Sequence, residues 1–200
     1  MGTIITIGRE FGSGGRELGR RLAEELGIEY YDREIITEIA KHTELSEAYI
    51  SEVIDGKHHA LYPITIGHSI SLADNYALLQ MQEVFTAQNK IICDLADKSD
   101  CVIVGRCADY ILREKSPYKI FVYADMDSRV KRCLERETEL EDYTERQMKK
   151  RIKRIDRNRA HYYSFYTGQR WADKSNYDMC INTTNTVIKD IVPIIAKMFK

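Results

Sequence analysis

The segments Thr3-Ile-Ile-Thr-Ile7, Gly8-Arg-Glu-Phe-Gly12-Ser-Gly-Gly15 and Arg16 to Leu26 set the frame within which the rest of the chain must fold. The first is a continuous β-branched run, which suits a pleated strand buried in a sheet. In the third, Leu18, Leu22 and Leu26 recur at helical spacing. Between them, glycine lets the backbone approach an anion with no Cβ in the way. The helix start beyond it offers free N–H groups and a positive dipole end. Strand, glycine loop and helix in this order make a phosphate cradle, although a plain strand-to-helix turn has the same outline. The consensus G-x-x-x-x-G-K-[ST] is not met: counted through Gly14, its lysine falls on Gly15, and Arg16 and Glu17 stand after it.

At 200 residues the chain has a single domain's length and can bury a full core. Its formal net charge of -1 argues against wholesale attraction to nucleic acid or an anionic membrane, so any such contact needs a local patch. No apolar run reaches the roughly 18 residues of a membrane span. Met1-Gly-Thr-Ile lacks the basic start and apolar core of a signal peptide. The five cysteines are odd in number and show no C-x-x-C spacing, as expected of reduced thiols in a cytoplasmic protein. Cys101 and Cys180 lie in strand-like apolar runs and are expected in the core.

Strand and helix patterns alternate along the whole chain. Strands are expected at Ile28 to Tyr31, Cys101 to Val104, Tyr118 to Tyr123 and Asp178 to Asn182. Helices are expected from Arg33 to about His42 with Asp32 as cap, from Ser46 to Ile54, and from Ser69 to Asp97. Leu78, Met81, Phe85, Gln88, Ile92 and Leu95 stripe the long one, which could cross the domain or supply a homodimer face. A further helix capped by Asp127 and a last one from Val187 to Phe199, kinked or started by Pro193, complete the pattern. The fold implied is α/β, with three α/β/α layers around a five-stranded parallel sheet. Ligands of such sheets gather at the carboxyl ends of the strands, where the glycine loop, Asp32 and Gly105-Arg106 all fall.

Between Arg146 and Arg159 the chain carries eight basic residues opposed only by Asp156. Such a helix is commonly a solvated face. Here Met148, Ile152 and Ile155 form an inward stripe, and at about 100° per residue Arg159 lands on it with Arg151 beside it. A charge directed inward calls for an anionic partner, and guanidinium binds phosphate in a two-pronged fashion. The Tyr162 to Tyr166 cluster and Trp171 could stack against a base, while packing this helix onto the body is the first expectation. His58, His59 and His68 lack metal spacing and are expected at the surface.

Taken together, these segments resemble the nucleoside monophosphate kinases and, within them, the cytidylate kinase-like family. The resemblance spans nearly the whole chain through Ile7-Gly-Arg-Glu-Phe-Gly-Ser-Gly-Gly-Arg16, Tyr31-Asp-Arg-Glu34, Val104-Gly-Arg-Cys-Ala-Asp109, Asp156-Arg-Asn-Arg159 and Tyr177-Asp-Met-Cys-Ile-Asn-Thr-Thr184. It implies one P-loop kinase-like domain over residues 1–200, with an acceptor-binding insertion at about 33–68 and a mobile basic helical lid at about 135–170. It also implies ATP and Mg²⁺, and transfer of the γ-phosphoryl group to a nucleoside monophosphate, CMP or dCMP first. Nucleotides are then the expected partners, with neither membrane nor nucleic acid. By the same resemblance Gly12, Ser13, Gly14, Gly15 and Arg16 cradle the donor phosphates, and Thr184 lies in the turn where adenine packs. Asp32, Arg106 and Asp109 face the acceptor, and Arg151, Arg154, Asp156 and Arg159 belong to the lid. Arg16, Arg106, Arg151 and Arg159 are the expected catalytic cations. The chain departs from the family at the loop lysine, at Cys107 in place of the aspartate of G-R-D, and at Lys153 and Arg154 where the lid has a further R-D. Arg16 leaning back, and Glu17 reaching a metal in place of the usual hydroxyl, are the expected compensations. A loop that has lost its lysine also leaves open a non-catalytic nucleotide sensor.

Overall fold

The computed structural model describes residues 2–43, 45–54, 72–136 and 143–200. Strands β1 (Ile4–Arg9), β2 (Glu29–Tyr31), β3 (Cys101–Val104), β4 (Tyr118–Tyr123) and β5 (Met179–Asn182) pair in the order β2-β3-β1-β4-β5, every pair parallel. Parallel neighbours need long crossovers, so helices run between them. These are α1 (Gly15–Leu26), α2 (Glu34–His42), α3 (Glu47–Ile54), α4 (Leu72–Lys98), α5 (Ala108–Ile111), α6 (Met126–Arg136) and α7 (Glu145–Thr167), and α8 (Ile188–Ala196) follows β5.

Successive side chains of a strand point to opposite faces, and both faces here are buried. Ile5, Ile7, Val102, Val104, Ile120 and Val122 pack with Leu18 and Leu22 of α1 and Val192 and Ile195 of α8. Cys101 and Ile103 turn to the other side, where Ile35, Ile39, Ile50, Ile92, Tyr162 and Tyr163 form a second core. The three-layer α/β/α fold with five parallel strands is therefore what the alternation of patterns implied. A small third cluster of Val130, Cys133, Met148 and Ile152 joins α6 to α7. Along α4 the expected stripe turns inward, with Gln88 and Ile92 fully buried and Met81, Phe85 and Leu95 packed beside them.

Register sets Arg9 beside Val122, Ile7 beside Val104 and Tyr31 beside Ile103. The loop after β1, Asp32, Gly105 and the turn after β5 thus leave the sheet at one edge.

Several local expectations need correction. Asp32 does not cap α2, whose N-cap is Arg33 without a side-chain bond, because its carboxylate is drawn to arginines instead. Asp127 lies inside α6, and Asp125 is the cap, accepting from Ser128 N at 2.7 Å. Cys101 is buried in the sheet centre, but Cys180 is exposed because β5 is an edge strand. Pro193 stands inside α8 rather than at its start. The basic stretch and the tyrosines share one helix, α7, opened by a capping box between Thr144 and Gln147. His58, His59 and His68, the rest of residues 55–71, and residues 137–142 of the expected lid lie outside the described residues. Among the described residues, no helix is long and apolar enough to cross a membrane.

Candidate functional site

The loop between β1 and α1 is held from three sides. Gly12 and Gly14 adopt φ of 79° and 83°, a left-handed backbone that glycine enters without steric cost. Space requires glycine there as well: a Cβ on Gly12 would lie 2.9 Å from both Arg129 O and Cys133 Sγ, and one on Gly14 would enter the Ile188 side chain. Ser13 is fully buried, and its hydroxyl donates to Glu10 O at 2.9 Å, so it shapes the loop rather than facing a ligand. Its carbonyl accepts from Thr183 Oγ1 at 2.7 Å, which ties the loop to the turn after β5. Arg132 bonds the Thr183 carbonyl and lines the cleft over the loop. No side chain caps α1, so the amides of its first turn are left for a ligand in that cleft.

Besides Arg129 and Arg132, which bond loop carbonyls, four more guanidiniums gather near this loop among the described residues. Arg9 is deeply buried, its side chain 11% exposed, with Nη2 3.6 Å from Asp32 Oδ1. Arg16, half exposed, pairs with the other Asp32 oxygen. Arg159 reaches in from α7, with Nη1 3.4 Å from Arg9 O and its guanidinium over the Phe11 ring. Arg106 completes the group from the loop after β3. Burial and the charges of Arg159, Arg106 and Arg16 pull Arg9 down to about 9, against the pull of Asp32, and it stays charged at neutral pH. Asp32 is 3% exposed and its Oδ1 accepts no hydrogen bond, although Arg9 lies nearby. Arg9 and Arg16 thus share Asp32, and cations held so close together make a setting that suits an anion.

A second cleft adjoins the first. It is bounded by Gly105, Arg106, Asp109, Tyr163, Trp171 and Tyr177, and Arg9 and Arg159 belong to the walls of both clefts. The turn after β3 is strained: Gly105, Arg106 and Cys107 have φ of 73°, 60° and 54°, costly for the two non-glycine residues. Buried Gln88 holds it by donating Nε2 to Arg106 O at 2.9 Å, which accounts for a polar residue on the inner stripe of α4. Because β3 lies between β1 and β2, Arg9 must pass over the end of β3 to reach Asp32, and a Cβ on Gly105 would fall inside its guanidinium. Gly105→Ala is therefore expected to cost about 1–3 kcal/mol in urea unfolding.

Tyr163 donates to Asp109 Oδ2 at 2.6 Å, and burial raises the Asp109 carboxyl above its ordinary 3.8 while the Tyr163 bond opposes this. A carboxyl raised on folding leaves stability intact while it is protonated and lowers it as pH climbs through the folded value. Asp109→Asn, which can still accept from Tyr163, is thus expected to melt higher than the parent at pH 8. The gap should narrow as pH is lowered; a gap of opposite sign, or one indifferent to pH, would contradict this origin. Burial also pushes the Cys107 thiol up, with Asp109 adding to it, so it is held protonated rather than as a reactive thiolate.

Asp156 faces the loop from α7. Its Oδ1 accepts from Phe11 N at 2.8 Å and its Oδ2 pairs with Arg129, which also meets Glu10 Oε2 at 3.1 Å and donates to Phe11 O at 2.7 Å. Arg9, Glu10, Arg129 and Arg132 were not singled out from the sequence. The available signal was a charged pair, Arg9-Glu10, leaving a strand otherwise buried.

Other expected site residues do not line either cleft. Arg151 lies over the Tyr143 ring, 5.2 Å from its centroid, and Arg154 is exposed on the opposite side of α7 from Arg159. The Thr184 hydroxyl is engaged locally, bonding Asn182 Oδ1 at 2.7 Å and accepting from Asp125 N at 2.9 Å. Glu17 Oε1 accepts from Arg21 Nε at 3.0 Å one turn along α1. Among the described residues there is no group of three or more metal-binding side chains. Magnesium commonly rides on substrate phosphates with few protein ligands.

A crystal structure of an uncharacterized protein from Eubacterium ventriosum ATCC 27560 shares 28% identity and a TM-score of 0.68, covering 98% of this chain and 97% of that one. Shikimate kinase from Bacteroides thetaiotaomicron superposes with a TM-score of 0.55 at 12% identity, over 98% of each chain. Shikimate kinase from Acinetobacter baumannii, in complex with shikimate, gives 0.54 at 15% identity over 100% of this chain and 93% of that one. At those identities the two shikimate kinases speak for the fold alone. No curated protein matches the chain. The sequence matches the cytidylate kinase-like family over residues 4–185, a span that takes in the glycine loop, both clefts and α7, and the chain belongs to that family.

Proposed function

We propose that the chain is an ATP-dependent kinase that transfers the γ-phosphoryl group to a nucleoside monophosphate, with CMP and dCMP first among the acceptors. The observation that carries this reading is the wall of Arg9 and Arg159 shared by two clefts. One cleft has a glycine loop and helix start suited to donor phosphates. The other offers Arg106 for an acceptor's phosphate and Tyr163, Tyr177 and Trp171 for a base. In such a reaction the bond between γ-phosphorus and the β–γ bridging oxygen breaks with its electrons on ADP. A bond forms to an oxygen of the acceptor phosphate, which is itself the nucleophile and needs no strong base. The guanidiniums keep their protons, align the two phosphates and balance the charge that spreads between them. Mg²⁺ would add charge neutralisation on the nucleotide phosphates. The basic half of α7, within the lid proposed at about 135–170, would bring Arg159 to the transferring group.

Gly15 at the loop-lysine position favours a second reading, a nucleotide sensor without turnover. Coupled release of ADP with a panel of nucleoside monophosphates, run beside nucleotide binding by thermal shift, separates the two. Turnover with one acceptor supports the kinase; tight ATP binding without turnover for any acceptor supports the sensor.

A further inference from the structure

The G-x-x-x-x-G-K-[ST] spacing, counted through Gly14, sets its first glycine on Arg9 and its lysine on Gly15. In space these two departures are one. An added Cβ on Gly15 would lie 2.6 Å from Arg9 Cβ and 3.2 Å from Arg9 Cγ, so a side chain at 15 and the stem of Arg9 compete for the same volume. The chain has filled that volume from position 9.

Resting on the phosphotransferase reading, we infer that Arg9 replaces the missing lysine as the cation that engages the terminal phosphate of the donor. Its guanidinium lies in the wall between the clefts, over Gly105 and against Asp32, where a phosphoryl group in transit would have to pass. Asp32 then positions Arg9 instead of touching the acceptor, and Gly105 is glycine to let the guanidinium through. Arg16, which the sequence offered as the substitute, is half exposed and held by Asp32. Unlike lysine, a planar guanidinium can grip two oxygens at once, so the exchange keeps the charge and adds orientation.

The test is calorimetric binding of inorganic tripolyphosphate and pyrophosphate to the full chain and to its Arg9→Met, Arg9→Lys and Arg16→Ala variants. A cation serving the terminal phosphate should matter more for the longer anion. Arg9→Met is expected to weaken tripolyphosphate binding about 10–100-fold and pyrophosphate binding distinctly less, the size of a charged hydrogen bond lost. Arg9→Lys should retain most of the tripolyphosphate affinity, and Arg16→Ala should weaken both anions alike. Unchanged tripolyphosphate affinity in Arg9→Met, or an equal loss for both anions, overturns the assignment. If Arg9→Met does not fold, the exchange Arg9→Gly with Gly15→Lys decides: recovered tripolyphosphate binding supports the shared volume, and none refutes it. Failure of the parent chain to bind either anion would overturn the phosphotransferase reading together with this one. ADP release that Arg9→Met leaves unimpaired would overturn this one alone.

Discussion

Arg159→Met is expected to lower kcat for ADP release about 10³-fold while the thermal midpoint stays close to that of the parent. The guanidinium lies in the wall common to both clefts, so in the proposed reaction its charge would act mainly on the phosphoryl group in transit. Fixed cations and donors of this kind are worth roughly 10²–10³ or more in rate. KM for ATP should rise much less than kcat falls, because the interaction strengthens only in the transition state. Folding should survive because α7 is anchored by Met148 and Ile152 at one end and Tyr162 and Tyr163 at the other. Steady-state kinetics with the best acceptor and a melting curve on the same preparation check it. A loss confined to KM would assign Arg159 to ground-state binding alone.

Asp156→Ala is expected to have the largest effect on stability. Arg129 is 5% exposed at its side chain and Asp156 15%, so the substitution strands a buried guanidinium and the Phe11 amide together. Breaking one side of a buried ion pair costs about 3–5 kcal/mol, since the desolvated partner remains. For a chain of this length that corresponds to a fall of roughly 6–20 °C in Tm. Glu10 Oε2 at 3.1 Å from Arg129 can absorb part of the charge and sets the lower end of the range. Urea unfolding gives the direct measurement. A loss below about 1 kcal/mol would mean that Glu10 alone suffices and that Asp156 is not what fastens α7 to the loop.

The basic helix illustrates how much of the site could be read in advance. Arg159 follows the Met148, Ile152 and Ile155 stripe by periodicity, and the structure brings it to the glycine loop. Arg151 lies beside that face, yet eight residues earlier, roughly 12 Å along the axis, and lines neither cleft. Periodicity gives the direction of a side chain but not which turn of a helix meets the body. Cys180 shows a similar gap: its apolar surroundings suggested burial, but only the sheet order reveals that β5 is an edge. The Thr184 and Glu17 side chains bond neighbours two and four residues off, short-range competition that motif matching does not weigh.

Arg9 is the more instructive omission. In the sequence it is a charge at the end of a strand, where an exit to solvent is the ordinary expectation. Its burial depends on Asp32, 23 positions later, and on Gly105, a further 73 along. These meet only because β3 inserts between β1 and β2.

Local pattern therefore sufficed for the elements, the layers and the gathering of the glycine loop, Asp32 and Gly105-Arg106 at one edge of the sheet, because burial of apolar stripes dictates period and sidedness. Which charges share that edge, and which side chain occupies the volume vacated at Gly15, depends on strand order and helix docking. Those bring together groups far apart in the chain, and electrostatics acts on distance in space rather than on separation in sequence.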